Sequence, residues 1–148
     1  MTISKNSDHP NILYIHSHDT GRYVQPYGHA IPTPNIQRLA EQGILFRKAF
    51  CVAPTCSPSR AGLLTGQYAH CTGMLGLAHR GFSLNDYNRH IVHTLRKAGY
   101  YSVLIGEEHL SKDPKDSGYD LVSGVEGKRA DIVAQAAVEL LNHDLSQP

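Results

Sequence analysis

Cysteine is scarce in this sequence: Cys51, Cys56 and Cys71 are the only three, and none forms a Cys-x-x-Cys pair. That argues against a disulfide framework and against zinc sites of the usual paired spacing, and it leaves zinc held by Cys51 and Cys56 as an alternative. Charge of one sign is not in excess either. The formal net charge of +1 gives no reason to expect nucleic acid or a membrane surface as partner. Long apolar runs are missing. Met1 to Pro10 contains none of signal-peptide length, and no segment approaches the roughly 20 residues of a transmembrane helix. A native start of this kind implies the cytoplasm. Internal repeats, low-complexity tracts and a recognisable linker are also lacking. The chain of 148 residues, 41% hydrophobic and 18% charged, suits one globular domain with a real core.

The most informative stretch runs from Cys56 to Gly66, Cys-Ser-Pro-Ser-Arg-Ala-Gly-Leu-Leu-Thr-Gly. Pro58 suits a first helical turn, where its missing N–H has no partner to lose. Leu63 and Leu64 give the helix an apolar face, and Gly66 is a natural stop. Cys56 is thereby expected at a helix start, where free N–H groups and the dipole favour negative charge, with Arg60 one turn on. A buried free thiol on a capped helix is the plainer reading of a lone Cys-x-Pro.

Elsewhere the chain alternates strand and helix signals. Asn11 to His16 reads as a buried parallel strand that runs into Ser17-His18-Asp19-Thr20-Gly21, at the carboxyl end where open α/β sheets place ligands. A turn with a solvated histidine is the competing interpretation. Thr33 is expected to cap a helix that opens with Pro34, buries Ile36, Leu39 and Ala40, and ends at Gly43. Ile44 to Phe50 reads as a second strand, Leu75 to Asn88 as loop, and His90 to Ala98 as a helix burying Ile91, Thr94, Leu95 and Ala98. Tyr101 to Gly106 is a further strand ending in Glu107-Glu108-His109. Lys112 to Gly127 is polar, and Arg129 to Leu141 is a last helix burying Ile132, Val133, Ala136, Leu140 and Leu141. This alternation argues for a parallel sheet with helices on both faces.

Cys-x-Pro-x-Arg with Leu-Thr-Gly, Thr33-Pro34-Asn35-Ile36-x-x-Leu-Ala, Gly-Met-x-Gly-Leu from Gly73 and Gly118-Tyr119-Asp120 together resemble the type I sulfatases. These are the formylglycine-dependent branch of the alkaline phosphatase superfamily. The resemblance runs from Asn11 to about Asp144, and from His18 to His109 the pattern is closest to sulfamidase-like (heparan N-sulfatase) members. It implies an alkaline-phosphatase-like α/β fold and hydrolysis of sulfate esters or sulfamates, carried on small molecules or saccharides. The nucleophile would be the hydrated aldehyde of formylglycine, made from Cys56 by a formylglycine-generating enzyme. Arg60 would hold that group and screen charge, and His109 would bind substrate or donate a proton. A divalent metal, Ca²⁺ by family, would be held by Asp19, His18 and the modified Cys56.

The sequence departs from the family pattern at two of these positions. His18 stands where an aspartate is usual, which moves the metal preference towards Mn²⁺ or Zn²⁺. Glu107 stands where a sulfate-binding lysine is usual, and it is either an added metal ligand or a solvated acid. Sulfatases are much longer than this chain. Residues 1–148 are therefore expected to be the N-terminal portion of the catalytic domain, inactive alone, without later strands, the second metal-ligand pair or the C-terminal domain. Two competing functions are a phosphonate or phosphate ester hydrolase of the same superfamily and a degenerate, non-catalytic binding module.

Overall fold

A computed structural model of the chain describes residues 9–124 and 129–142. The readings made on the first eight residues, on the end of the polar stretch before Lys128 and on the tail after Asn142 fall outside them. The chain divides into two compact units, residues 12–50 on the one hand and residues 1–11 with 51–148 on the other. No described helix is long and apolar enough to cross a membrane.

In the 12–50 unit, helix α1 spans Pro34–Gln42, opened by Pro34 and followed by Gly43 as the sequence predicts. Thr33 holds the N-cap position but does not cap with its hydroxyl. Its Oγ1 instead accepts the Gln25 N–H at 3.0 Å, while Gln25 Oε1 accepts the Thr33 N–H at 3.3 Å. This reciprocal pair ties the helix start to the 3-10 turn Gln25–Tyr27. Tyr27 then donates its hydroxyl to the Phe46 carbonyl at 2.9 Å.

The runs from Asn11 to His16 and from Ile44 to Phe50 differ from expectation. Neither joins a ladder among the described residues, and Ile15 and Phe50 are 76% and 89% exposed. An apolar run becomes a buried parallel strand only when neighbours supply hydrogen bonds and cover for both faces.

The unit holding residues 51–142 carries the core. Helix α2 spans Cys56–Thr65 and ends in left-handed Gly66 (φ 68°), whose N–H closes back on the Gly62 carbonyl. A short helix α3, Ala69–Thr72, follows. Ala61, Met74, Ala78, Leu84 and Leu110 are buried together, with Leu64 and Tyr87 packed against them. Two of these five, Ala78 and Leu84, and the packed Tyr87 come from the stretch that reads as loop. The 3-10 turns Ala78–Arg80 and Tyr87–Arg89 shape it without any helical or strand period.

Helix α4, Ile91–Lys97, is capped by the His90 side chain, and the residue it buries is Val92. With Leu95 half-buried and Ile91, Thr94 and Ala98 exposed, its inward face is rotated from the predicted one. Strands β1, Val103–Leu104, and β2, Leu121–Val122, pair in parallel, Val103 opposite Leu121. The ladder is parallel as expected, but β2 lies in the stretch that reads as polar.

Asp120 fastens this ladder to α4. Its carboxylate accepts Arg96 Nε at 2.8 Å, the Ser102 N–H at 2.8 Å and the Ser102 hydroxyl at 2.7 Å. Burial works to raise its pKa, and the Ser102 hydroxyl, Ser102 N–H and Arg96 outweigh it, holding the group below the ordinary carboxylate value. Helix α5, Ala130–Asn142, half-buries Val133, Ala136, Ala137 and Leu140, one face at helical spacing. Ile132 and Leu141, expected inside, are exposed.

Candidate functional site

The start of α2 is where the predicted residues meet. Cys56 is the first helical residue, half-buried, with its thiol free. The next residue, Ser57, is fully buried, and its Oγ accepts the Ala78 N–H at 3.1 Å. One turn on, Arg60 Nη1 donates to the carbonyls of Glu107 and Glu108, each at 2.9 Å. A single helical turn therefore holds two distant segments, 77–80 through Ser57 and 107–109 through Arg60. Gly62 adds a third constraint: a Cβ there would lie 2.1 Å from Val52 Cγ2, so only glycine lets the chain approach this closely.

His109 arrives at this point from the loop after β1. Its ring nitrogen and the Cys56 Sγ lie within 4.8 Å of one another. Its backbone sits in the left-handed region at φ 66°, a conformation uncommon outside glycine and often found where a side chain is aimed for function. His109 Nε2 also lies 3.0 Å from His79 Nδ1, a partner that the sequence did not single out. Of the predicted residues, Cys56, Arg60, His109 and the backbone of Glu107 thus come together within one unit.

The Glu107 side chain is exposed. The residue beside it is not. Glu108 is 4% exposed, and its carboxylate lies 2.8 Å from His90 Nε2, a close contact that is not aligned as a hydrogen bond. Ser117 donates its hydroxyl to the other Glu108 oxygen, and His90 Nδ1 accepts the Val92 N–H at 3.2 Å. That bond leaves Nδ1 as the acceptor nitrogen and puts the proton on Nε2, facing the carboxylate. The sequence carries no local signal for this cluster, because its members are brought together by the fold.

His18 and Asp19 belong to the 12–50 unit. His18 Nδ1 lies 3.0 Å from Asp19 Oδ2, with the Asp19 side chain 86% exposed and its backbone at φ 54°. Asp19 and His109 are the described non-glycine residues with positive φ. At that separation the pair contacts directly, as an imidazole and a carboxylate do, and it brings together the nitrogen and oxygen donors that the sequence puts forward for a divalent cation. Cys51 is exposed and joins no ligand cluster among the described residues, which gives zinc held by Cys51 and Cys56 no support.

The family description "Sulfatase" matches residues 10–144. An N-acetylgalactosamine-6-O-sulfatase of Bacteroides thetaiotaomicron is 37% identical over 121 residues, 75% of this chain and 22% of its own length. Human N-sulphoglucosamine sulphohydrolase is 36% identical over 120 residues, covering 77% of this chain and 24% of its own length. An arylsulfatase of Klebsiella aerogenes is 32% identical over 127 residues, 76% and 27% of the two chains. The chain thus spans about a quarter of the length of the curated relatives it matches.

Proposed function

This chain belongs to the sulfatase family, and on that premise we propose that it supplies the nucleophile end of an enzyme hydrolysing sulfate esters or sulfamates. Its fold is the alkaline-phosphatase-like α/β fold of that family. The observation that carries the reading is the convergence on the first turn of α2. Cys56 lies within 4.8 Å of His109, and Arg60 is anchored to the backbone of the same loop.

In this reading Cys56 is converted to formylglycine by a formylglycine-generating enzyme, and the modified residue supplies a hydrated aldehyde as the nucleophile towards sulfur. The N-terminal N–H groups of α2 face the charge that gathers on the sulfuryl oxygens. Arg60 spends two donor bonds on the Glu107 and Glu108 carbonyls, so it fixes the loop that bears His109 and keeps its positive charge beside Cys56. His109 donates a proton to the leaving oxygen or nitrogen, or binds the sulfuryl group. A divalent ion held by His18 and Asp19 would supply Lewis acidity and charge neutralisation. The nitrogen–oxygen donor set favours Mn²⁺ or Zn²⁺ alongside the Ca²⁺ usual for the family. The three relatives are named for different sulfated substrates and resemble the chain to a similar degree, so the proposal stays at the class of sulfated saccharide or aryl ester.

Mass spectrometry of the Cys56 peptide, after co-expression with a formylglycine-generating enzyme, tests the nucleophile. The expected result is the mass of the aldehyde, and an unmodified thiol throughout counts against it. In the matured full-length enzyme, Cys56→Ala is expected to lower sulfate release by roughly 10³-fold or more. Release of phosphate in place of sulfate from matched aryl esters would shift the assignment to a phosphate or phosphonate ester hydrolase.

A further inference from the structure

We propose that His79 is a positioning residue for His109, setting its tautomer and ring orientation through a direct imidazole–imidazole hydrogen bond. The inference rests on the reading of His109 as proton donor or substrate ligand. His79 Nδ1 and His109 Nε2 are 3.0 Å apart, the ring planes differ by 6°, and the centroids are 5.3 Å apart. That centroid separation is what two five-membered rings reach when the N···N vector lies along the line joining them. The contact is therefore edge to edge in a common plane, with one nitrogen donating and the other accepting. A neutral His109 in this contact has one defined tautomer at a time, dictated by what His79 presents.

The surroundings make the contact a built one. His79 follows Ala78, which is 1% exposed and is held by its N–H on the buried Ser57 Oγ, next to Cys56 in the chain. His109 follows Glu108, which is buried against His90 and Ser117 and whose carbonyl is held by Arg60. Both histidines thus extend from anchored neighbours, and both anchors lead back to one turn of α2. His109 accepts a left-handed backbone to complete the contact. His79 itself is exposed, so its ring contributes little to the core, and a purely structural role does not account for its place.

The test is long-range ¹H–¹⁵N NMR of the histidine rings in the 148-residue chain, at alkaline pH where both are neutral, with His109 assigned through His109→Gln. In the wild type His109 should show the wide splitting between its two ring nitrogens that marks a single tautomer. In His79→Ala that splitting should collapse towards the averaged value. His79→Asn, whose amide offers a donor and an acceptor near the same place, should restore it. His109 resonances that are the same in wild type and His79→Ala would overturn the proposal. A second arm separates it from the reading on which it rests. In the matured full-length enzyme, His79→Ala should lower kcat about tenfold for an alkyl sulfate and less for an activated aryl sulfate. Equal losses on both esters, with the tautomer change present, would overturn the acid role of His109 and leave the pairing standing.

Discussion

Among residues 12–50, Val24 is the one buried side chain, while Ile12, Leu13, Ile15, Ile44, Phe46 and Phe50 are all exposed. In the unit holding residues 51–142, the fully enclosed side chains include Met74 and Leu110 but also His90, Ser57 and Ser117. One region leaves its greasiest residues in water, and the other takes polar groups out of it. There Ser57 accepts the Ala78 N–H, Ser117 donates to the Glu108 carboxylate, and His90 accepts the Val92 N–H at Nδ1 while its Nε2 lies against that carboxylate. The cluster around Cys56 is thus built by partner-specific bonds. His18 and Asp19 rest on a chain segment with little burial of its own.

Substitutions in the two regions should separate this contrast sharply. The largest effect is expected at His90→Ala, which removes the side-chain cap of α4 and leaves the Glu108 carboxylate enclosed without the imidazole beside it. Losing a cap costs about 1 kcal/mol, and stranding a buried polar group about 1–3 kcal/mol and more when it is charged, visible together as a large drop in the urea midpoint. Gly62→Ala comes next. Better helix propensity, worth up to about 1 kcal/mol, is outweighed by the clash with Val52, and overpacking costs about 1–3 kcal/mol. Val52→Ala in the same chain should recover most of that loss in thermal melts.

Acid should probe the Asp120 clamp. Its folded pKa is held down, so its stabilising share is full above the ordinary value of 3.8 and fades as pH falls through the lower folded value. Denaturation of wild type and Asp120→Asn across that range should show a gap that narrows as the pH drops. A gap independent of pH would remove the charge from the account. The smallest effect is expected at Ile15→Ser in the 12–50 unit, within about 0.5 kcal/mol, as for exposed positions generally. A loss there as large as at His90 would erase the contrast between the regions.

What could be read from the sequence was what is decided locally. The start of α2 at Cys56, its stop at Gly66, and α1 between Thr33 and Gly43 follow from proline and glycine signals within a turn or two of chain. The run Tyr101 to Gly106 was legible as the place of a strand, though β1 occupies only Val103–Leu104 of it, and the polar Glu107-Glu108-His109 follows it as expected. What was missed depends on partners distant in sequence. Glu108 looks like any surface acid until His90, 18 positions back, is folded onto it. Ala78 and Leu84 look like loop because 3-10 turns and the bends between them bury side chains without a period. The runs at Ile12 and Ile44 have strand composition, but a strand is a property of a pair. His79 carried no motif, and only its distance to His109 singles it out.

The bond from the Ala78 N–H to the buried Ser57 Oγ also makes that amide a reporter. Hydrogen exchange at a position so enclosed requires an opening event, and the event that frees Ala78 is the one that parts the segment bearing His79 from the turn bearing Cys56. Its protection factor therefore measures how often the His79 segment and the Cys56 turn come apart in the resting protein. A slow Ala78 amide would mark a junction that stays closed between openings, and a fast one a junction that opens freely.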